Sequence, residues 1–409
     1  MTGHLVAGAA PGGRIVVAGA SMAGLRAAEQ LRAAGWTGAI TLVGDEPHMP
    51  YNRPPLSKEV LAGKASLDSL AFRPRASLAD AEWRLGTKVA AARLAERTVV
   101  LDDGSALTYD GLVVATGMRP RRLDCPGPLA GRHTVRTLDD ARGLRAALAR
   151  PGARVVVVGA GFIGCEVAAT AVGLGAGDVT VVDPLPLPMV GPLGELLAGA
   201  LRRRHEERGV RFALGTQVAG FEGGDRVTGV VLGDGNVLPA DVVVESVGSV
   251  ANVEWLAGNG LDLCDGVLTD ERLRAGGRPD VVAVGDVARF PNARYDGVPR
   301  RVEHWSIPTD TAKYAAKVLV HGDAADPAPF APLPTFWSDQ HDFRLQSFGA
   351  PALGTDDVRV LEGDPDGDVL VGYHHDGRLV GVVALGGPAS VSAAARYRAE
   401  LLDQPALTV

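Results

Sequence analysis

The sequence has little cysteine: Cys125, Cys165 and Cys264 stand far apart in 409 residues and never form a Cys-x-x-Cys pair. That scarcity excludes a disulfide-stapled scaffold and the simplest redox dithiol, and it fits a reducing cytoplasm. No apolar run approaches the roughly 18 residues of a spanning helix. The stretch Met1 to Gly13 carries no basic opening of the kind a secretory leader needs. Positive charge is also in deficit, with 41 Lys and Arg against 48 Asp and Glu and a formal net charge of -7. A duplex nucleic acid or an anionic membrane requires a concentrated positive field, so neither is expected as the main partner.

What the chain does have is enough apolar material for two to three domains, with 46% hydrophobic and 22% charged residues. Arg14 to Ala18 reads as a strand, Gly19-Ala20-Ser21-Met22-Ala23-Gly24 as a tight turn, and Leu25 to Ala34 as a helix. Small residues in such a turn let the backbone approach a pyrophosphate, and the helix N-terminus points free N–H groups at its charge. A second strand, Ile40 to Val43, leads to Asp45 and Glu46, where a carboxylate can bind ribose hydroxyls. Ser21 stands where the middle glycine of such a turn is usual.

The same pattern returns complete. Val155 to Val158 precedes Gly159-Ala160-Gly161-Phe162-Ile163-Gly164, and the next strand, Val179 to Val182, ends in Asp183. Asp183 would repel a 2'-phosphate, and Pro184-Leu185-Pro186 supplies no arginine to hold one, which favours NADH over NADPH. The repeat goes further. Asp103-Gly104, Asp110 and Gly117 recur with identical spacing as Asp234-Gly235, Asp241 and Gly248. Two glycine loops that also share a hairpin, a strand and a terminal glycine indicate two bound dinucleotides.

Further segments carry a family resemblance: Gly44-Asp45-Glu46-Pro47-His48, Tyr51-Asn52-Arg53-Pro54-Pro55-Leu56-Ser57-Lys58, Ala115-Thr116-Gly117, Arg136-Thr137, Val284-Gly285-Asp286, Glu303-His304-Trp305 and Phe336-Trp337-Ser338-Asp339-Gln340. In these the chain resembles the putidaredoxin-reductase-like family of FAD-dependent, NADH-using ferredoxin reductases, which serve bacterial haem monooxygenases and ring-hydroxylating dioxygenases. The resemblance implies an α/β fold of the glutathione-reductase type, with two Rossmann-like dinucleotide-binding domains, for FAD and NAD, plus a C-terminal α+β domain. The FAD-binding domain is expected at 1–122 and 247–325, the NAD-binding domain at 123–246 and the C-terminal domain at 326–409. Independently, the Pro- and Ala-rich stretch Asp323 to Pro334 reads as a linker, and Asp368 to Gly372 with the turn Asp376-Gly377 reads as strand and hairpin.

The resemblance also implies roles. Hydride would pass from NADH to FAD and leave as single electrons to a small 2Fe-2S ferredoxin. Lys58, paired with Glu166, would stand beside the flavin, and Phe162 would cover it until nicotinamide arrives. FAD contacts would come from Gly19, Ser21, Ala23, Gly24, Asp45, Glu46, Arg53, Val89, Ala115, Thr116, Gly117, Arg136, Gly285, Asp286 and Trp305. NAD contacts would come from Gly159, Gly161, Phe162, Ile163, Gly164, Asp183 and Gly248. Two departures touch these roles: no proline precedes Asn252 in Gly248-Ser249-Val250-Ala251-Asn252, and Pro308 stands where a helix usually begins. Arg73, Arg75, Arg300, Arg301, Lys313 and Lys317 are candidates for steering an acidic ferredoxin.

No metal site is assigned; His374 and His375 read as solvated turn residues and Cys165 as packing. A rubredoxin partner, an NADH oxidase or diaphorase, and an NADH-sensing flavoprotein of the apoptosis-inducing-factor type stay open as alternatives. So do monomer and weak dimer.

Overall fold

The computed structural model describes residues 13–325 and 328–404. The stretch read for a leader therefore lies outside the described residues except for Gly13, as do positions 326 and 327 of the linker. Five parallel strands form the first sheet, in the order Val281–Ala283, Gly111–Val114, Arg14–Ala18, Ala39–Gly44, Glu82–Leu85. Their valine- and leucine-rich segments are buried on both faces, as a parallel sheet covered by helices requires. Helix Met22–Ala33 turns Leu25, Ala28 and Leu31 to this core. Helix Ile307–His321, with Pro308 in its first turn, packs beside it.

The second sheet repeats that plan. Val210–Leu214, Asp178–Asp183, Arg154–Val158, Val242–Glu245 and Arg132–His133 lie parallel in this order, and helix Phe162–Gly173 follows the central strand. Each unit carries a three-stranded antiparallel meander, Val89–Arg93 to Ala106–Thr108 in one and Val218–Gly223 to Val237–Pro239 in the other.

The repeated aspartates now have a reason. Asp110 Oδ2 accepts from the Arg14 amide at 2.8 Å, and Asp241 Oδ2 from the Arg154 amide at 3.0 Å, so each carboxylate ties the end of a meander to the first residue of its central strand. The repeated glycines have one too. Gly117 (φ 60) and Gly248 (φ 95) launch the short strands Met118–Pro120 and Ser249–Ala251, which pair antiparallel where the chain leaves and re-enters the first unit.

The last unit is a five-stranded antiparallel sheet, ordered Thr335–Gln340, Phe343–Gly349, Arg378–Gly386, Val369–His375, Val358–Gly363, with helix Pro388–Asp403 against it. Asp376 (φ 50) and Gly377 (φ 75) form the left-handed hairpin turn between two of its strands. The other face packs on helix Val190–Glu207, where Leu193, Leu197 and Leu201 meet Phe336, Leu345, Val371 and Tyr373. At Gly194 (φ 70) that helix breaks its regular turn, and the buried Tyr373 hydroxyl donates to the Leu193 carbonyl at 2.7 Å.

Candidate active site

The glycine turns separate what the fold needs from what a ligand needs. A Cβ on Gly19 would lie 2.1 Å from the Ala115 carbonyl oxygen, and one on Gly24 would lie 1.8 Å from that of Gly19. In the second turn a Cβ on Gly159 or Gly164 would meet backbone oxygen at 2.1 Å or 2.0 Å. The first glycine of each turn is fixed by close approach to the residue that follows a neighbouring strand, Ala115 or Ser246, and the last by close approach of the helix to that first glycine. Gly161 differs: an added Cβ would meet no protein atom within 4 Å and would point into open space ahead of the helix. Ser21 holds the equivalent place, so a small side chain there leaves the first turn intact.

Both helix N-termini open into one cleft. On its wall Lys58 Nζ lies 2.7 Å from Glu166 Oε2, and the two side chains are 13% and 4% exposed. Glu166 takes two more donors, Ser57 Oγ to Oε2 at 2.5 Å and Ser338 Oγ to Oε1 at 2.6 Å. A carboxylate this buried is tolerable because every side of it is bonded. The elements explain the meeting: Lys58 ends the turn Pro54–Ser57, Glu166 lies in the second turn of helix Phe162–Gly173, and Thr170 Oγ1 ties that helix to the Ser57 carbonyl at 2.8 Å.

Further along, Arg136 Nη2 lies 3.3 Å from Asp286 Oδ2, and Arg53 donates to the Arg136 carbonyl at 2.7 Å. Burial pushes the Asp286 carboxyl above the usual range, and Arg136 partly offsets it. Glu46 is engaged by Arg53 and by the Tyr51 hydroxyl. Aromatic rings close one side: Phe162 packs edge-on to Phe336 at 4.8 Å, His304 on the same ring at 5.0 Å, and Trp305 against Trp337 at 5.4 Å. Burial lowers the His304 imidazole to about 4, with Glu303 opposing. Its Nδ1 is buried and has no hydrogen-bond partner among the described residues. The open space before Gly161, with both helix N-termini on the cleft, makes it suited to a flavin and a nicotinamide.

Residues 13–311 match the model of the family described as pyridine nucleotide-disulphide oxidoreductase, and 335–403 match that of the reductase C-terminal domain. The chain belongs to the pyridine nucleotide-disulphide oxidoreductase family. Within the family it is 40% identical to a probable ferredoxin reductase, CtmF, of Castellaniella defragrans, over 93% of this chain and 92% of that protein. It is 38% identical to the ferredoxin–NAD(+) reductase component of the biphenyl dioxygenase system of Paraburkholderia xenovorans, over 86% and 84%. Its structure superposes on the reductase in a covalent putidaredoxin reductase–putidaredoxin complex with a TM-score of 0.87 at 33% identity, covering 96% and 94% of the chains.

Of the residues expected to serve this family's chemistry, Ser21, Ala23, Arg53, Lys58, Ala115, Gly117, Arg136, Asp286 and Trp305 line the cleft with Gly161, Phe162, Ile163, Glu166 and Gly248. Others stand behind it. Gly285 (φ 72) brings its backbone against Ala23, where a Cβ would come within 2.8 Å of the Ala23 methyl. Thr116 turns to Asn252, donating to its carbonyl at 2.7 Å. Val89 pairs with Leu101 in the first meander and packs on that unit's core. Asp45 is exposed at the end of Ala39–Gly44. Asp183 accepts from the amides of Ala160 at 2.7 Å and Leu185 at 2.8 Å. Cys165 is fully buried, its thiol pushed up by burial, as a packing residue should be.

Among the steering candidates, Arg75, Arg300 and Arg301 share their charge with Glu29, with Asp296, and with Asp265 and Glu303. Two groups escaped sequence reasoning. Ser57, Ser338 and Gln340 escaped although each lies in a quoted motif. In Phe336-Trp337-Ser338-Asp339-Gln340 the strand's alternation puts Phe336, Ser338 and Gln340 on the buried face, and two polar residues on such a face signal a buried network. Glu245 and Arg132, almost wholly buried and 2.5 Å apart, also escaped; Glu245 accepts from the Leu123 amide at 3.0 Å and so holds the crossover into the second unit.

Proposed function

We propose that this protein is an NADH-dependent ferredoxin reductase that supplies electrons to a monooxygenase or dioxygenase through a small 2Fe-2S ferredoxin. The observation that carries this reading is the Lys58 and Glu166 pair, drawn from two different nucleotide-type units into the one cleft on which both helix N-termini open. When bound, FAD accepts a hydride from NADH and passes its electrons on one at a time. The FAD-binding domain takes in the described residues of 1–122 and 247–325, the NAD-binding domain 123–246 and the C-terminal domain the described residues of 326–409; positions 1–12, 326–327 and 405–409 lie outside the described residues.

Ser21, Ala23 and the N–H groups of helix Met22–Ala33 receive the FAD pyrophosphate. Asp45 or Glu46 receives its ribose. Arg136 and Asp286 hold its polar chain. Gly161 and helix Phe162–Gly173 receive the NADH pyrophosphate, and Asp183 disfavours a 2'-phosphate. Lys58 presents a fixed cation to the cleft, where it favours the electron-rich reduced ring, and Glu166 holds that cation in place. Phe162, held by Phe336, shields the site from water. The free state of the three cysteines accords with the cytoplasm.

The test is NADH-driven reduction of cytochrome c by the yellow protein, with and without an added 2Fe-2S ferredoxin, with oxygen consumption recorded in parallel. A strong dependence on the ferredoxin is expected. Rapid NADH consumption without it would mean an oxidase or diaphorase, and negligible consumption with several carriers would favour an NADH sensor.

A further inference from the structure

A line of hydrogen bonds leaves the cleft through Glu166 and runs into the last unit. Ser338 Oγ lies 2.6 Å from Glu166 Oε1, and Gln340 Nε2 lies 2.9 Å from Ser338 Oγ. Gln340 Oε1 lies 2.7 Å from His205 Nε2, and His205 Nδ1 lies 3.2 Å from His341 Nε2. Ser338, Gln340 and His205 are all buried.

Counting protons gives the line a direction. A carboxylate only accepts, so the single hydroxyl proton of Ser338 goes to Glu166, and Ser338 in turn accepts from the Gln340 amide. The Gln340 oxygen then accepts from His205 Nε2, which leaves His205 Nδ1 bare to accept from His341. Turning the Gln340 amide over reverses the whole line. Ser338 would then give its proton to Gln340, and its oxygen would face Glu166 Oε1 at 2.6 Å with no proton between them. Carboxylate and direction therefore select each other.

His341, at φ 50, is the first residue of the two-residue hairpin turn joining Thr335–Gln340 to Phe343–Gly349, a conformation that such turns favour, and its ring reaches back to His205 with the centroids 4.9 Å apart. Asp342, the other turn residue, is held by Arg208 at 2.6 Å, and the guanidinium of Arg208 also lies over the Phe343 ring.

We propose that Ser338, Gln340 and His205 are positioning residues for the reductase reaction, their one-way line holding the Glu166 carboxylate, and through it the Lys58 ammonium, at one place on the cleft wall. The proposal rests on the function given above. It assigns the last unit and helix Val190–Glu207 a part in that chemistry although their residues on the line stand behind the cleft.

Two measurements test it. In the unmodified holoprotein, ¹⁵N NMR of the imidazoles is expected to find the His205 proton on Nε2 and Nδ1 bare; a proton on Nδ1 would overturn the direction and the proposal with it. In the variants Ser338→Ala and Gln340→Glu, the flavin midpoint potential is expected to become more negative. Anaerobic reduction by NADH is expected to slow about tenfold, the worth of one hydrogen bond to a charged group. Ser338→Thr, which keeps the hydroxyl, should restore both. A lowered melting temperature with potential and rate unchanged would reduce the line to a structural tie. If the parent is not reduced by NADH at all, the proposed function fails, while tautomer and chemically poised potential still decide this inference.

Discussion

Lys58 and Glu166 hold each other in a place from which neither can reach water freely, at 13% and 4% exposure. Replacing Lys58 with methionine keeps the length of the side chain and removes its charge, and Ser57 and Ser338 still donate to Glu166. The variant is expected to keep FAD but to be reduced by NADH about a hundredfold more slowly, the usual cost of losing one preorganised electrostatic partner. Stopped-flow flavin bleaching checks this, and an unchanged rate would remove the pair from the mechanism. Asp183 is held by two backbone amides, and in the role proposed for it its charge would oppose a 2'-phosphate. Asp183→Ala should narrow the NADH over NADPH preference in kcat/KM by about tenfold. The motif around Lys58 made that residue legible in the sequence, and the second fingerprint did so for Glu166. His205 was not legible, because its partner Gln340 lies 135 residues away and only the folded chain brings them together.

At the scale of the element, the parallel strands and their helices were legible because valine-rich runs followed by glycine turns admit few other structures. Gly24 tests how strictly the turn is set: Gly24→Ala would drive a methyl into the Gly19 carbonyl, and the variant is expected to lose soluble, FAD-binding protein altogether. Less could be read of the last unit. Its five antiparallel strands depend on register across long separations, and only Asp368 to Gly372 and the turn Asp376-Gly377 announced themselves.

Helix Val190–Glu207 and strand Thr335–Gln340 share a buried imidazole, with a consequence for acid stability. Burial lowers His205 from 6.5 to about 4. Between those values the unfolded chain binds the proton and the folded one does not, so stability falls as pH drops from 6.5 toward 4 and levels off below. The loss between pH 6.5 and 5 is expected at about 2 kcal/mol from His205 alone. Urea unfolding at the two values measures it, and His205→Gln should lessen the difference without abolishing it, because burial also lowers His304 and His341 to about 4; an equal slope in parent and variant would contradict it.

For the whole molecule, the charge balance speaks against strong steering. With a formal net charge of -7 and three of the six candidate cations already paired, the candidates offer little unopposed positive charge for steering. Ferredoxin-dependent turnover is expected to fall only a few-fold between about 0.01 M and 0.1 M salt, over which the screening length shrinks from about 30 to 10 Å. Direct flavin reduction by NADH should not change. A drop of orders of magnitude would mean that Arg73, Lys313 and Lys317 carry more of the docking than their number suggests. The duplication of the two nucleotide-type units was legible because its aspartates and glycines are structural anchors, and their spacing is set by the meander that each unit must close.

The ribbon of Met118–Pro120 and Ser249–Ala251 implies something about how such a chain can be assembled. The middle unit departs and returns through neighbouring, hydrogen-bonded strands, with Arg121 donating to the Gly248 carbonyl and Asn252 to that of Gly117. Its two ends are already together, so accommodating it adds little loop-closure entropy to the unit that hosts it. A middle unit of different length or cofactor preference could be spliced in at two junctions lying side by side, which makes this position a natural place for recombination and for engineering.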